Sequence, residues 1–295
     1  MRLSQLGEFG LLAELERQGL ATGIGDDVAV LQAGRVVTQD TLVEGVHFRL
    51  DWMSWRDLGY KAAAVNLSDL AAAGAEPEAL LVSLGLSAET PVENVLELYT
   101  GLGEPGVGVV GGDTTRADRT YLTVTAIGRS DRVPGRAGAR PGDALVVTGP
   151  LGASAAGYYA LRAGIRGPAA EAHLRPPIRL AEGRELARVA HAMLDISDGL
   201  ASDAMRLAER SACRVIVDVE SVPFANGVEE AAARAGREPH ELALAFGEDY
   251  ELLAAVEHPG RFTAVGRCEP GAGVEIRLDG SLVELAGWDH FGEDP

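Results

Sequence analysis

Lysine is nearly missing from this chain: Lys61 stands alone, and arginine supplies the other basic side chains. A Walker A loop needs Gly-x-x-x-x-Gly-Lys followed by Ser or Thr, and no such run occurs. The kinase-type set of glycine loop, lysine strand and His-Arg-Asp is absent as well. Cysteine is almost as scarce. Cys213 and Cys268 make no disulfide framework and no Cys-x-x-Cys pair, so a reducing compartment is expected. No apolar run approaches the ~20 residues of a spanning helix, and the N-terminal segment Met1 to Phe9 holds no signal-peptide core. A soluble, cytoplasmic protein is the expectation. Positive charge is outweighed too: the formal net charge of −18 argues against nucleic acid or an anionic membrane as the main partner.

What is present suits an ordinary globular protein. A chain of 295 residues, 46% hydrophobic and 24% charged, suggests two domains, each able to bury a core. The acidic excess carries a chemical implication. If the substrate is a phosphate, divalent cations bound by clustered carboxylates are the natural way to offset the repulsion.

The most informative stretch is Asn66 to Ala75, the end of an alanine-rich helical run that starts near Ser54. Ser54 with Asp57 three residues on reads as a capping-box start, and Gly74 and Pro77 read as the stop. Leu58, Ala62, Val65, Asp69 and Ala72 then share one helix face, apolar except for Asp69. A carboxylate there is costly to bury unless it is paired, hydrogen-bonded or metal-bound. Asp69 either caps a second helix after a break near Asn66 or is a metal ligand on a rigid helix. The stretch has an echo in Asp195-Ile196-Ser197-Asp198-Gly199-Leu200-Ala201-Ser202-Asp203. Both carry aliphatic-Ser-Asp before a small-residue run, which suggests two related sites or two walls of one site.

Along the chain, a short amphipathic helix is expected over 9–20. Gly23 to Val30 reads as a tight turn with Asp26 and Asp27, entering a strand; a solvated Asp-Asp turn is the plainer reading in isolation. A second strand runs from Arg35 to Thr41 with Asp40 at its end. His47, taken alone, reads as a core or loop histidine. Strands are expected at 80–86, 107–110 (buried, opening onto Gly111-Gly112-Asp113-Thr114-Thr115-Arg116) and 120–128. Between them Thr90-Pro91-Val92-Glu93 starts a helix carrying Tyr99, with Thr90 as its cap. The Gly-, Pro- and Arg-rich segment 129–143 is the candidate domain boundary. Beyond it come strands at 144–148, 193–196, 213–219, 252–256, 262–268 and 274–278, with helices from 153, over 178–190 and over 227–234. No repeat of 20–50 residues is present.

Asp27, Asp40, Asp69, Asp113 and Asp195 each sit at an expected strand end or helix face beside Gly, Ser or Thr. Open α/β sheets gather ligands at the carboxyl ends of strands, and several hard oxygen donors at chain ends are what Mg²⁺ requires while it bridges substrate phosphates.

Here the chain resembles the thiamine-monophosphate kinase family, within the superfamily of aminoimidazole ribonucleotide synthetase. The resemblance rests on Gly23 to Asp27, Asp40 to Phe48, Asn66 to Ala75, Gly111 to Thr115, Asp195 to Leu200, Gly247 to Glu251 and Trp288 to Phe291, in order and at suitable spacings. It implies an α/β (α+β) fold of two domains. Residues 1–136 would form an N-terminal mixed sheet with helices on one face, binding ATP and Mg²⁺ and pairing in a homodimer. Residues 137–295 would form the C-terminal α/β domain that completes the site. The implied reaction moves the γ-phosphoryl of ATP to thiamine monophosphate, with several Mg²⁺ ions and with ATP near the dimer interface. By the resemblance Asp27, Thr38, Gln39, Asp40, Asp69, Asp113, Asp195 and Asp198 form the metal shell, and Asp69, Asp113 and Asp195 carry catalysis. Tyr99, Gly112, Asp113, Arg136 and Ser197 contact ATP, and His47, Glu248 and Trp288 contact the thiamine side. Gln39 stands where relatives often have Ser or Thr, so ligation there would use its backbone.

Rival members fit less well. Selenophosphate synthetase places a reactive Cys near the N-terminus, and no Cys precedes Cys213 here. Aminoimidazole ribonucleotide synthetase carries Asp-Gly-Val-Gly-Thr-Lys where this chain reads Asp40-Thr41-Leu42-Val43-Glu44-Gly45. A hydrogenase-maturation relative ends in a reactive cysteine, and this chain reads Gly292 to Pro295 there. A nucleotide- and metal-binding regulator without turnover is the alternative from another class.

Overall fold

The computed structural model describes residues 2–285 together with Gly287 and Trp288. Asp289, His290 and Phe291, the rest of the C-terminal motif, lie outside the described residues. The chain opens with α1 (Leu3–Arg17), which Gly7 (φ 71°, ψ 173°) interrupts, so its continuous helical part begins close to the expected start; ahead of the break the Gln5 side chain accepts from the Arg2 backbone N–H at 2.9 Å. Then follow β1 (Ala29–Val30), β2 (Arg35–Val43), α2 (Trp55–Ala72), β3 (Glu76–Leu86), α3 (Val92–Gly103), β4 (Val109–Arg116) and β5 (Tyr121–Arg129). Among the described residues these strands form a mixed sheet of order β1-β2-β5-β3-β4, antiparallel except for the β3–β4 pair.

The second half runs β6 (Ala144–Val147), α4 (Ala153–Arg162), α5 (Pro168–Leu174), α6 (Leu180–Leu186), β7 (Ala192–Asp195) and α7 (Leu200–Ser211). It continues with β8 (Arg214–Asp218), α8 (Val228–Ala235), α9 (Pro239–Ala245), β9 (Leu252–Val256), β10 (Thr263–Glu269), β11 (Gly273–Leu278) and β12 (Ser281–Val283). Its sheet has the order β12-β11-β8-β10-β6-β9-β7.

The first sheet packs α2 on one face, with α3 stacked behind it. Ser54 caps α2 as its sequence predicts, accepting from the Asp57 N–H at 3.1 Å, and the helix continues unbroken past Asn66. Asp69 therefore caps no second helix. The small residues of α2 allow approach on two sides. A Cβ on Gly59 would lie 2.0 Å from the Leu98 carbonyl oxygen, and one on Gly101 would lie 1.9 Å from that of Arg56, so α2 and α3 cross in backbone contact. On another side Ala71 and Ala72 pack into a core with Val146, Leu186, Met193 and Leu252 of the second half. One helix is thus shared by the cores of both sheets. The far face of the second sheet is covered by α4, α7, α8 and α9.

Several expectations are corrected. Thr90 does not cap α3; Pro91 occupies that position with no side-chain hydrogen bond. The strand expected as buried over 107–110 is β4, which runs to Arg116, because its parallel pairing with β3 continues from Leu80–Val109 to Leu86–Arg116. As the sheet edge it is exposed from Val110 on. The helix expected over 178–190 is only α6, since the Ala187 and Ala190 carbonyls accept from the Arg132 guanidinium instead of extending it. Helices α5 and α9 were not expected; each starts on a proline in its first turn.

Candidate active site

Strand β2 directs Thr38 and Asp40 toward α2 and Gln39 to the opposite face, following the strand period of two. Thr38 Oγ1 donates to Asp69 Oδ2 at 2.5 Å. Asn66, fully buried, accepts from the Asp40 backbone N–H at 3.1 Å and donates to the Ala62 carbonyl at 3.0 Å. One turn of α2 therefore fixes the strand and one carboxylate together. From the second half, β7 delivers Asp195, whose Oδ2 accepts from Ser68 Oγ at 2.7 Å. Asp27, on the turn before β1, completes the group: one oxygen each from Asp27, Asp69 and Asp195 lies within 4.8 Å of the others. The two echoing segments are two walls of one site.

The electrostatics of this cluster are adverse without a cation. Burial, then the charges of Asp40, Asp195 and Asp27, push the Asp69 carboxyl well above its ordinary range. Burial and Asp27 do the same to Asp195 against the opposing Ser68 hydrogen bond. Asp27 is raised by burial, partly countered by Arg136, whose Nε donates to Asp27 Oδ1 at 2.9 Å. All the donors are hard oxygens, Asp195 buried and Asp27 and Asp69 partly so, with Asp69 and Asp195 oriented by hydroxyls and Asp27 by a guanidinium, a set that fits Mg²⁺.

Beside the cluster Asp198 has its own cation. Arg206 Nη2 donates to Asp198 Oδ2 at 2.6 Å and Nη1 to Asp203 Oδ1 at 3.3 Å, while Asp203 also accepts from the Asp198 N–H at 3.1 Å. Burial, then Asp198, lifts the Asp203 carboxyl to about 8. The Gly247 loop closes over this wall. A Cβ on Gly247 would sit 2.5 Å from the Ser197 carbonyl oxygen, which accepts from the Glu248 N–H at 2.7 Å. Glu248 (φ 58°) and Tyr250 (φ 52°) both take left-handed backbone, a conformation non-glycine residues hold only when the surroundings impose it. Glu248 Oε2 accepts from Lys61 Nζ at 3.2 Å. His47 Nδ1 accepts from the Val43 N–H at 3.1 Å, and the ring lies near Glu248.

A family model described as AIR synthase related protein, N-terminal domain, matches residues 25–130, and one for the C-terminal domain matches residues 140–279. The thiamine-monophosphate kinase of Aquifex aeolicus is 36% identical over 99% of this chain and 100% of its own length. That of Mycobacterium tuberculosis is 38% identical over 99% of this chain and 93% of its own. The chain belongs to the thiamine-monophosphate kinase family. A solved structure described as AaThiL complexed with AMPPCP and TMP aligns with a TM-score of 0.91 at 36% identity, covering 98% of this chain and 99% of that one.

Not every residue expected of a thiamine-monophosphate kinase site lies in the cluster. Asp113 and Gly112 sit on β4, the exposed edge. Along the ladder Asp40 pairs with Val124, Val124 with Val82 and Val82 with Gly112. Three strand spacings separate Gly112 from Asp40, about 14 Å. Gly112 (φ 146°) leaves no room for a Cβ, which would fall 1.8 Å from the Val82 carbonyl oxygen. Tyr99 is on the solvent side of α3. The Trp288 backbone N–H donates to the Asp198 carbonyl at 3.0 Å, which brings that residue to the Asp198 wall. The Gln39 side chain accepts from Thr125 Oγ1 at 2.8 Å on the open sheet face. Sequence reasoning gave no role to Lys61, Asn66, Ser68, Asp203 or Arg206. The signal for Ser68 was present in the repeated Ser-Asp; Asp203 ends the echoing segment.

Proposed function

We propose that this chain transfers the γ-phosphoryl group of ATP directly to the phosphate of thiamine monophosphate, giving thiamine diphosphate and ADP. The observation that carries the reading is the convergence of Asp27, Asp69 and Asp195 within 4.8 Å, in a member of a family named for that activity. A solved relative whose description names an ATP analogue and TMP, read here as thiamine monophosphate, supports the pair of substrates. An acceptor oxygen bonds to the γ-phosphorus as its bond to the β–γ bridging oxygen breaks. The acceptor is already an anion, so positioning and charge neutralisation matter more than a general base.

Asp27, Thr38, Asp40, Asp69 and Asp195, with Gln39 through its backbone and Asp198 beside them, are the groups that would hold several Mg²⁺ ions. Mg²⁺ bound there would neutralise the two meeting phosphates and keep them in line. Thr38 and Ser68 hold the carboxylates at fixed angles. Arg136, now on Asp27, is the nearby guanidinium suited to a bidentate phosphate contact. Ser197, Gly112 and Tyr99 are assigned to ATP, and His47, Glu248 and Trp288 to the thiamine side, where Glu248 offers a negative partner to the cationic substrate.

Two chains are proposed to pair through their five-stranded sheets, with residues 1–136 as the pairing domain and 137–295 as its complement, in the cytoplasm. What supports pairing is that α2 covers one face of this sheet, while Gln39, Thr41 and Ser83 on the other are exposed. With Gly112 about 14 Å from Asp40 within one chain and Asp113 next to it on the same edge strand, Asp113 and Gly112 are assigned to the partner's site. The reading is tested by ADP release, which should need both thiamine monophosphate and a divalent cation. ADP release at the same rate without thiamine monophosphate would refute it.

A further inference from the structure

Lys61, the chain's lone lysine, is one of its most deeply buried side chains at 1% exposure, and its ammonium contacts Glu248 at 3.2 Å. Burying an ammonium is costly unless it is paired and hydrogen-bonded. A sequence that uses arginine everywhere else keeps lysine at this one enclosed position.

The Glu248 carboxylate is more open, at 23% exposure. It is faced by Lys61 from α2, by His173 from α5 at 3.5 Å, by His47 from the segment after β2 and by Tyr250 from its own loop. His173 is not a cation here. Burial, then Lys61, lowers it to about 3, and its Nδ1 is engaged by Ser154 Oγ at 2.9 Å. Among the described residues Lys61 thus makes the charged contact with Glu248 that the distances show. It is closed to solvent behind a carboxylate that is not.

We infer that Lys61 is a positioning residue: its ammonium, held on α2, fixes the Glu248 carboxylate for the cationic ring of the substrate without touching the substrate. Lys61 and Asp69 lie on the same unbroken helix, eight residues and so about 12 Å apart along its axis. One rigid element sets both the substrate-side carboxylate and the metal-side carboxylate. Glu248 sits on left-handed backbone in a loop pinned by Gly247, and its carboxylate is held toward α2 by the Lys61 ammonium.

The inference rests on the reading of Glu248 as substrate-facing, and the experiment separates the two. KM for thiamine monophosphate, KM for ATP and kcat are measured for the wild type, Lys61→Met, Glu248→Gln and the double variant. Lys61→Met should raise KM for thiamine monophosphate about tenfold or more, with KM for ATP and kcat within about twofold. The double variant, which leaves no unpaired charge, should fold and bind thiamine monophosphate no worse than Glu248→Gln alone. If Lys61→Met does not fold, the double variant decides. Equal rises in both KM values, or a double variant well below Glu248→Gln in affinity, overturns the role of Lys61. An unchanged KM in Glu248→Gln instead overturns the substrate-side reading of Glu248.

Discussion

Ser68 on α2 donates to Asp195 at the end of β7 across 2.7 Å, although 127 positions separate them in sequence. Ser68 is fully buried, and its hydroxyl aims one carboxylate of the cluster while Asp69, the next residue, supplies another. Ser68→Ala should therefore leave the metal donors in place but loosen Asp195. The expected result is a rise of about tenfold or more in the Mg²⁺ concentration for half-maximal activity. An unchanged Mg²⁺ dependence would show that Asp195 needs no such support.

Asp69→Asn should keep the fold and lose turnover by about 100-fold or more. Asp69 is crowded by Asp40, Asp195 and Asp27, so removing its charge relieves repulsion in the metal-free chain. Its melting temperature should not fall, and added Mg²⁺ should stabilise it less than the wild type. Near-normal turnover at saturating Mg²⁺ would remove Asp69 from the metal shell.

The helix that carries Asp69 was legible because its signals are local: the Ser54–Asp57 cap, an apolar face and a Gly74 stop. Strand β9 was equally plain as an unbroken apolar run over Leu252–Val256. What stayed hidden was set by contacts distant in sequence. The length of β4 follows from pairing with β3, and the end of α6 from Arg132, 55 residues before the Ala187 carbonyl it caps. The aspartates could be named from their neighbours. Their sorting into a convergent set of Asp27, Asp69 and Asp195 and a distant Asp113 depends on strand order, which no local pattern encodes.

Metal binding should strengthen as pH rises. Burial first, then mutual repulsion, raises the Asp69 and Asp195 carboxyls well above their ordinary range. A carboxyl raised on folding favours the folded, metal-free chain below its unfolded pKa, and that contribution is lost as pH rises through the folded value. A cation must displace the same protons, so its affinity grows over that interval. The Mg²⁺-induced rise in melting temperature should grow as pH is raised, with protons released on titration in weak buffer. Equal shifts without proton release would contradict the crowded-carboxylate picture.

Light scattering should give a mass near twice the 30.8 kDa of one chain. If Asp113 serves the partner's site, mixing the inactive Asp69→Asn and Asp113→Asn proteins under exchange should restore roughly a quarter of wild-type turnover, one intact site per mixed dimer. No recovery in a dimer shown to exchange subunits would place Asp113 in its own chain's site.

The central claim is direct transfer between two phosphates, and following the γ-phosphoryl group tests it most closely. With ATP labelled at the γ-phosphorus, the label should appear in thiamine diphosphate, one per ADP formed, and only with thiamine monophosphate and a divalent cation present. Free thiamine, whose hydroxyl stops about one phosphate length short, should accept little or none. Label recovered as inorganic phosphate, or free thiamine accepting it at a comparable rate, would contradict the account.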